Sequence, residues 1–229
     1  MGDRTNQECG VRAVDQLPLS GEPLPLDLVN TTYIKGGVRG HLVDALTCPE
    51  ELDQWLQAHR ERFSPALASA LGPAGPAGAA HLEASLVLRH ALRELAAART
   101  SGRAPEPVHG AVVNATARLA AQWWELSPGA SFEAVPRWLE SDPLRAALGE
   151  IAAAAVGLFA GEQGDRIRAC AAPGCILYFV KSHARREWCT AGCGNRVRVA
   201  RHSRRVRGDG AADTDTGTGT RAGAGTCTD

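Results

Sequence analysis

With 229 residues, 44% of them hydrophobic, the chain is long enough to bury one sizeable core and carry a small module beside it. The formal net charge of +0 hides a segregation: residues 1–165 hold 13 basic and 20 acidic side chains, residues 166–207 hold 11 and one, and residues 208–229 hold one and four. No secretory leader is apparent and no apolar run approaches the ~20 residues that span a bilayer, so a soluble cytoplasmic protein with no membrane partner is expected.

Residues 1–22 lack sustained periodicity and read as a loose leader. LPLDLVNT (24–31) is a compact apolar run with Asp27 and Asn30 interleaved, and the glycine pair in KGGVRG (35–40) predicts a turn and a short hairpin near residues 28–40. Thr47 and Glu50 form a Thr-x-x-Glu capping box ahead of Leu52, Trp55, Leu56 and His59 at helical spacing. LGPAGPAGAA (71–80) and SGRAPEP (101–107) are loops. Between and after them run three longer helical stripes. The first, within residues 81–99, places Leu88, Ala91, Leu92 and Leu95 on one face, and the second aligns Val112, Ala115, Leu119, Trp123 and Leu126. Trp123 and Trp124 would then point about 100° apart, which either sends one of them to an interface between subunits or with the C-terminal module, or leaves it partly exposed on the domain surface. The third stripe starts at a Ser141 or Asp142 cap, carries Pro143 in its first turn, runs from Leu144 to Phe159 and stops at Gly161. Residues 23–164 therefore predict a mainly helical body, residues 165–207 a separate module, and the low-complexity segment 208–229 a disordered tail.

Four cysteines dominate the module. Cys170, Cys175, Cys189 and Cys193 form two close pairs, Cys-x4-Cys and Cys-x3-Cys, thirteen residues apart. That pattern suits a tetrahedral all-thiolate site for one structural zinc ion. Pro173 and Gly174 can turn the first pair of sulfurs inward. ILYFV (176–180) reads as a strand, KSHARREW as a turn and a returning second strand with His183 at the turn, and Thr190 and Gly192 bracket a helix start. So small a unit would draw much of its folding free energy from the metal. Cys9, Cys48 and Cys227 have no near partner in sequence and read as plain thiols.

GNRVRVARHSRRVR (194–207) follows the last pair. On a helix Arg198, Arg201 and Arg205 share one face, and Val199 and Val206 share another that can pack. Arg196, Arg204 and Arg207 widen the positive surface, and Lys181, Arg185 and Arg186 add to it from the turn. Roughly six to eight such contacts to duplex phosphates would give a log–log salt slope of about −5 to −7. DNA is the expected partner.

Cys193-Gly194-Asn195-Arg196, with Trp188-Cys189 and Cys170-x4-Cys175 upstream, closely resembles the CGNR zinc-finger family. The stretches LPLDLVNT (24–31), LTCPEELDQWL (46–56) and the capped helix from Asp142 to Phe159 are similar to the ABATE domain that commonly precedes that finger. The resemblance implies a bacterial stress-induced transcription regulator, nucleoid-associated when DNA-bound, with the four cysteines as zinc ligands. The expected fold is mainly α, a helical N-terminal body followed by a small β-hairpin/helix, treble-clef-like finger. Such a regulator needs something to read, and Asp27, Asn30, Thr31 and Arg39 are candidates to line a small-molecule effector pocket or, alternatively, to cap neighbouring helices. The body is also a candidate to form a homodimer. An enzyme is not expected: there is no phosphate loop, His-Glu-x-x-His helix or nucleophile elbow, and a four-thiolate shell leaves zinc no open position. The competing expectation is a protein-interaction adaptor built on a structural zinc finger.

Overall fold

In the computed structural model, which describes residues 17–19, 21–128 and 132–212 (leaving aside the side chains of Arg204 and residues 206–212), the apolar stripes converge on one helix. That helix is α6 (Pro143–Ala160), whose Leu144, Ala147, Leu148, Ile151 and Ala155 are all buried. Asp142 is its N-cap, accepting from the Leu144 N–H at 2.9 Å, and His81 Nε2 sits 2.7 Å from the same carboxylate. α6 is long and apolar enough to pass for a membrane span, but half of it is buried in the core.

Around α6 pack α1 (Leu24–Val29), α3 (Pro65–Leu71), α4 (Ala79–Ser101) and α5 (Pro107–Ala117), and α2 (Pro49–Ala58) closes the core through Leu52, Trp55 and Leu56. A 3-10 turn at Arg118–Ala120 crosses α6 at Gly149, where a Cβ would stand 2.5 Å from the Ala120 nitrogen. Only glycine allows that approach. The start of α2 departs from the expected capping box by one residue: Glu51, not Glu50, reaches back to the Thr47 N–H and hydroxyl, both at 2.7 Å. Pro49 in the first turn shifts the helix start by that residue.

The expected hairpin is β1 (Thr32–Lys35) paired antiparallel with β2 (His41–Asp44), Thr32 opposite Asp44 and Lys35 opposite His41. It begins after α1, which takes the whole apolar run.

The second stripe is a correction. α5 ends at Ala117, and residues 122–126 form β3 (Gln122–Leu126), paired with β4 (Ala134–Trp138). Ala121 leaves the helical region, and the aromatic pair that follows favours a strand. Trp123 and Trp124 therefore face opposite sides of an outlying hairpin, 46% and 68% exposed. Neither covers the module, and it is Trp138 that packs on the core.

Two further expectations fail. The leader is not loose at its end: Leu19 and Glu22 are buried. Cys48 is not a plain thiol but is disulfide-bonded, since bridging needs proximity in space and not in sequence. Cys9, Cys227 and the tail from 213 lie outside the described residues.

Candidate metal centre and the basic helix

Ile167–Ala169 forms β5 and Tyr178–Val180 forms β6, antiparallel with Ile167 opposite Val180 and Ala169 opposite Tyr178. The Cys170 N–H donates to the Leu177 carbonyl at 2.9 Å, extending the ladder to the first cysteine. The hairpin therefore precedes and encloses the Cys-x4-Cys knuckle. The returning strand expected at 181–188 does not form; that segment is a run of turns, with the Arg186 N–H donating to the His183 carbonyl and His183 exposed. The partner strand was instead the short IRA run before Cys170, too brief to signal itself.

At the knuckle, Gly174 takes φ +69° and lies so close to Gly37 in the β1–β2 turn that a Cβ would stand 2.4 Å from the Gly37 carbonyl carbon. Cys189 precedes and Cys193 occupies the first turn of α7 (Ala191–Ala212), where the Thr190 hydroxyl accepts from the Cys193 N–H at 3.2 Å. The four sulfurs end within 4.8 Å of one another, Cys175 to Cys189 at 3.7 Å and Cys189 to Cys193 at 3.3 Å. A tetrahedron of thiolates about 2.3 Å from zinc has edges of about 3.8 Å, so the donor set and its spacing fit one structural zinc ion. Hydrogen bonds from the Cys175 and Cys189 thiols hold the Cys170 thiol far down, while the reciprocal bonds and burial push Cys175 and Cys189 up. Zinc would deprotonate all four.

Each letter of the Cys-Gly-Asn-Arg run now has a physical role. Gly194 makes room for Trp188, whose ring would meet a Cβ at 3.1 Å. Asn195 accepts from the Arg198 guanidinium. Arg196 donates to the Cys193 sulfur at 2.9 Å, and its stem rests on Gly37. Arg196 thus braces the ligand shell and is removed from the phosphate-binding set. Arg186 is removed as well: it pairs with buried Glu22, donates to the Val180 carbonyl at 3.0 Å and lies 4.9 Å over the Phe179 ring. Among the described residues Val197, not Val199, is the packing valine of α7; Val199 is 65% exposed, and the side chain of Val206 lies outside the description. Packing follows Cys193 by four residues, one turn along the helix. Arg185, Arg198, Arg201 and Arg205 are exposed, and Lys181 is half-buried. The side chain of Arg204 lies outside the description.

Three of the four candidate effector residues are engaged in hydrogen bonds within the protein. Asp27 is buried and accepts from the N–H groups of Gly21 and Glu22, both at 3.1 Å, and from Arg62 at 2.5 Å. Burial raises its pKa against the lowering effect of Arg62. The Asn30 side chain donates to the Tyr178 carbonyl at 2.8 Å and accepts from the Tyr178 N–H at 3.0 Å. Thr31 donates to the Leu28 carbonyl at 2.7 Å and accepts from Arg89 at 2.9 Å. Arg39 is exposed on the β1–β2 turn. Asp27 and Thr31 tie down the two ends of α1, and Asn30 clasps the module.

That clasp follows strand chemistry. Tyr178 and Val180 turn their N–H groups away from β5, so β6 has an open edge toward the body. Asn30 satisfies the first, and the Glu22 carboxylate accepts from the Val180 N–H at 2.8 Å. Arg93 donates to the carbonyls of Val29 at 2.6 Å and Ile176 at 3.2 Å, from the body and the module respectively. Glu22 and Arg93 carried no motif signal, since only the fold brings them to that edge.

No curated protein matches the chain. Residues 22–162 match the family model ABATE, described as "Putative stress-induced transcription regulator", and residues 166–206 match the CGNR zinc finger. The first match spans more than half of the chain, which therefore belongs to the ABATE family and carries a CGNR zinc finger behind its ABATE domain.

Proposed function

We propose that the protein is a DNA-binding transcription regulator whose zinc site holds α7 as a recognition helix, with no catalytic role. The observation that carries this reading is the outward face of α7: Arg198, Arg201 and Arg205 are exposed, while Cys193 and Val197 on the inner side are buried with the metal site. Guanidinium groups at that spacing suit phosphates and guanine edges. With Arg186 and Arg196 committed elsewhere, the four exposed arginines support a shallower salt slope than the full basic count, about −4. Stress response and a cytoplasmic, nucleoid-associated location come with the family reading as part of the same proposal. The closed four-thiolate shell supports a structural and not a hydrolytic zinc.

The test is binding of the zinc-loaded chain to random genomic fragments, followed by fluorescence anisotropy between about 50 and 200 mM salt. The expected result is retention at low salt, with Arg198→Ala, Arg201→Ala and Arg205→Ala each making the slope shallower by about 1. Zinc-loaded protein that binds no DNA at low salt would instead favour the adaptor reading, which the exposed apolar hairpin at Trp123, Trp124 and Leu126 supports as a contact surface for another protein or a second copy.

A further inference from the structure

Where α4 ends and the finger begins, two cavities share a wall. One, of about 370 Å³, lies between the last turn of α4, the turn at 164–166 and β5, and is lined by Asp165 and Arg168 among others. The other, of about 150 Å³, is lined by Leu95, Pro105 and Phe159. Arg99 and Arg103 line both. One side of the shared wall is therefore basic and the other apolar.

The basic side has surplus positive charge. It holds three guanidinium groups and one carboxylate, Asp165, which pairs with Arg99 at 2.6 Å. Arg168 donates to the carbonyls of Asp165 and Ile167, both at 2.8 Å, and Arg103 to the Ser101 hydroxyl at 3.1 Å. Among the described residues neither has a carboxylate within ion-pair distance. The end of a helix repels anions through its unpaired carbonyls. Here those of Ala98 and Arg99 already accept from the Gly102 N–H, and Ala98 also accepts from Arg103 at 3.0 Å.

We propose that this cleft binds a small amphiphilic carboxylate, its carboxylate on Arg99, Arg103 and Arg168 and its apolar body against Phe159, Leu95 and Pro105. The guanidinium fork matches a carboxylate bidentately. The Asp165 side chain, 85% exposed on Arg99, holds the place of the ligand head, and an exposed pair of this kind is weak enough to be displaced. Inorganic phosphate would satisfy the arginines but leave the apolar half unfilled. Arg99 and Arg103 belong to the body and Arg168 to β5 of the finger, so the ligand bridges the two. The site stands independently of DNA binding.

The zinc-loaded full chain is titrated calorimetrically with phenylacetate, benzoate and hexanoate, and with phenylacetamide and inorganic phosphate as controls. The expected result is saturable binding of at least one of the acids, with phenylacetamide and phosphate each weaker by about tenfold or more. Arg99→Ala with Arg103→Ala should weaken the acid by about tenfold or more, with the thermal melt checked for folding. Asp165→Asn, a change at an exposed residue, should tighten it by about threefold, because it removes the competing internal carboxylate. No saturable binding of any acid below about 10 mM would overturn the proposal. So would an amide or phosphate that binds as well as the acids, or an Asp165→Asn protein that binds them no better.

Discussion

The Arg196 guanidinium donates to the Cys193 sulfur at 2.9 Å while its stem lies against Gly37, where an added Cβ would stand 3.0 Å from Arg196 Cδ. One arginine thus joins the ligand shell of the finger to a glycine turn of the body. A guanidinium on a thiolate offsets part of the negative charge that four thiolates bring to one zinc ion, and groups placed behind metal ligands typically matter about 10–100-fold in affinity. Arg196→Ala should therefore lose zinc to a colorimetric chelator at a concentration about tenfold lower than the native chain does, and Arg196→Lys should recover only part. Equal zinc retention in all three would show that the contact does nothing for the metal.

Glu22 and Arg186 make a further bond between body and finger. Glu22 is 4% exposed and also holds the Val180 N–H. Removing one partner leaves a half-buried guanidinium without its carboxylate, so Glu22→Gln should cost about 1–3 kcal/mol in denaturant unfolding. Pairing it with Arg186→Met should cost less than Glu22→Gln alone, because no orphan charge remains.

His59 is buried, stacks on Trp55 with ring centroids 4.3 Å apart, and its Nδ1 lies 2.8 Å from the Trp55 carbonyl. Burial lowers its pKa from the ordinary 6.5, outweighing the backbone hydrogen bond and the Asp27 carboxylate 3.8 Å away. The folded state then binds fewer protons here than the unfolded chain. Stability from this residue is present above pH 6.5 and is lost as pH falls from there toward the lower folded value. Asp27 runs the other way: its raised pKa gives stability below 3.8 that fades as pH rises through the folded value. Chemical denaturation between pH 7 and 5 should show falling stability in the native chain and a flatter profile in His59→Gln.

Two tryptophans separate strand from core. Trp55 is 1% exposed and Trp124 68% exposed. Trp55→Ala should cost about 3–5 kcal/mol in denaturant unfolding, and Trp124→Ala no more than about 0.5. A large loss at Trp124 would place it on a buried helical face and contradict the hairpin.

Chelation tests the link between metal and docking. The finger holds few buried residues beyond its cysteines, so stripping zinc should expose it. Hydrogen exchange should then rise in β5, β6 and the first turns of α7 while α4 and α6 stay protected. Zinc addition should reverse the change.

Much of this molecule was legible locally. The thiolate spacing announced the metal site because ligand geometry is short-range. The Asp142-Pro143 cap and the Leu144–Phe159 stripe announced α6 because caps and periodicity act within a few residues. The stripe through Leu126 misled because apolar spacing at residues 112–126 satisfied a helix on paper, while Trp123 and Trp124 found a better partner strand in Ala134–Trp138.

By itself the sequence determined the kind of chemistry present: four soft ligands, a basic helix after them, and a helical body with a few oddly placed polar residues. The tertiary structure alone decided what each charge does. Arg186 and Arg196 look no different in sequence from Arg198 and Arg201, yet the first two are fixed on Glu22 and Cys193 while the others face solvent. Asp27 and Asn30 suited either a pocket or a capping network in the sequence; in the fold Asp27 holds the N–H groups before α1 and Asn30 clasps the module. The reason is that a charged group's role depends on which opposite charge or open strand edge lies within about 3 Å of it, and those partners come from segments up to 164 residues away along the chain.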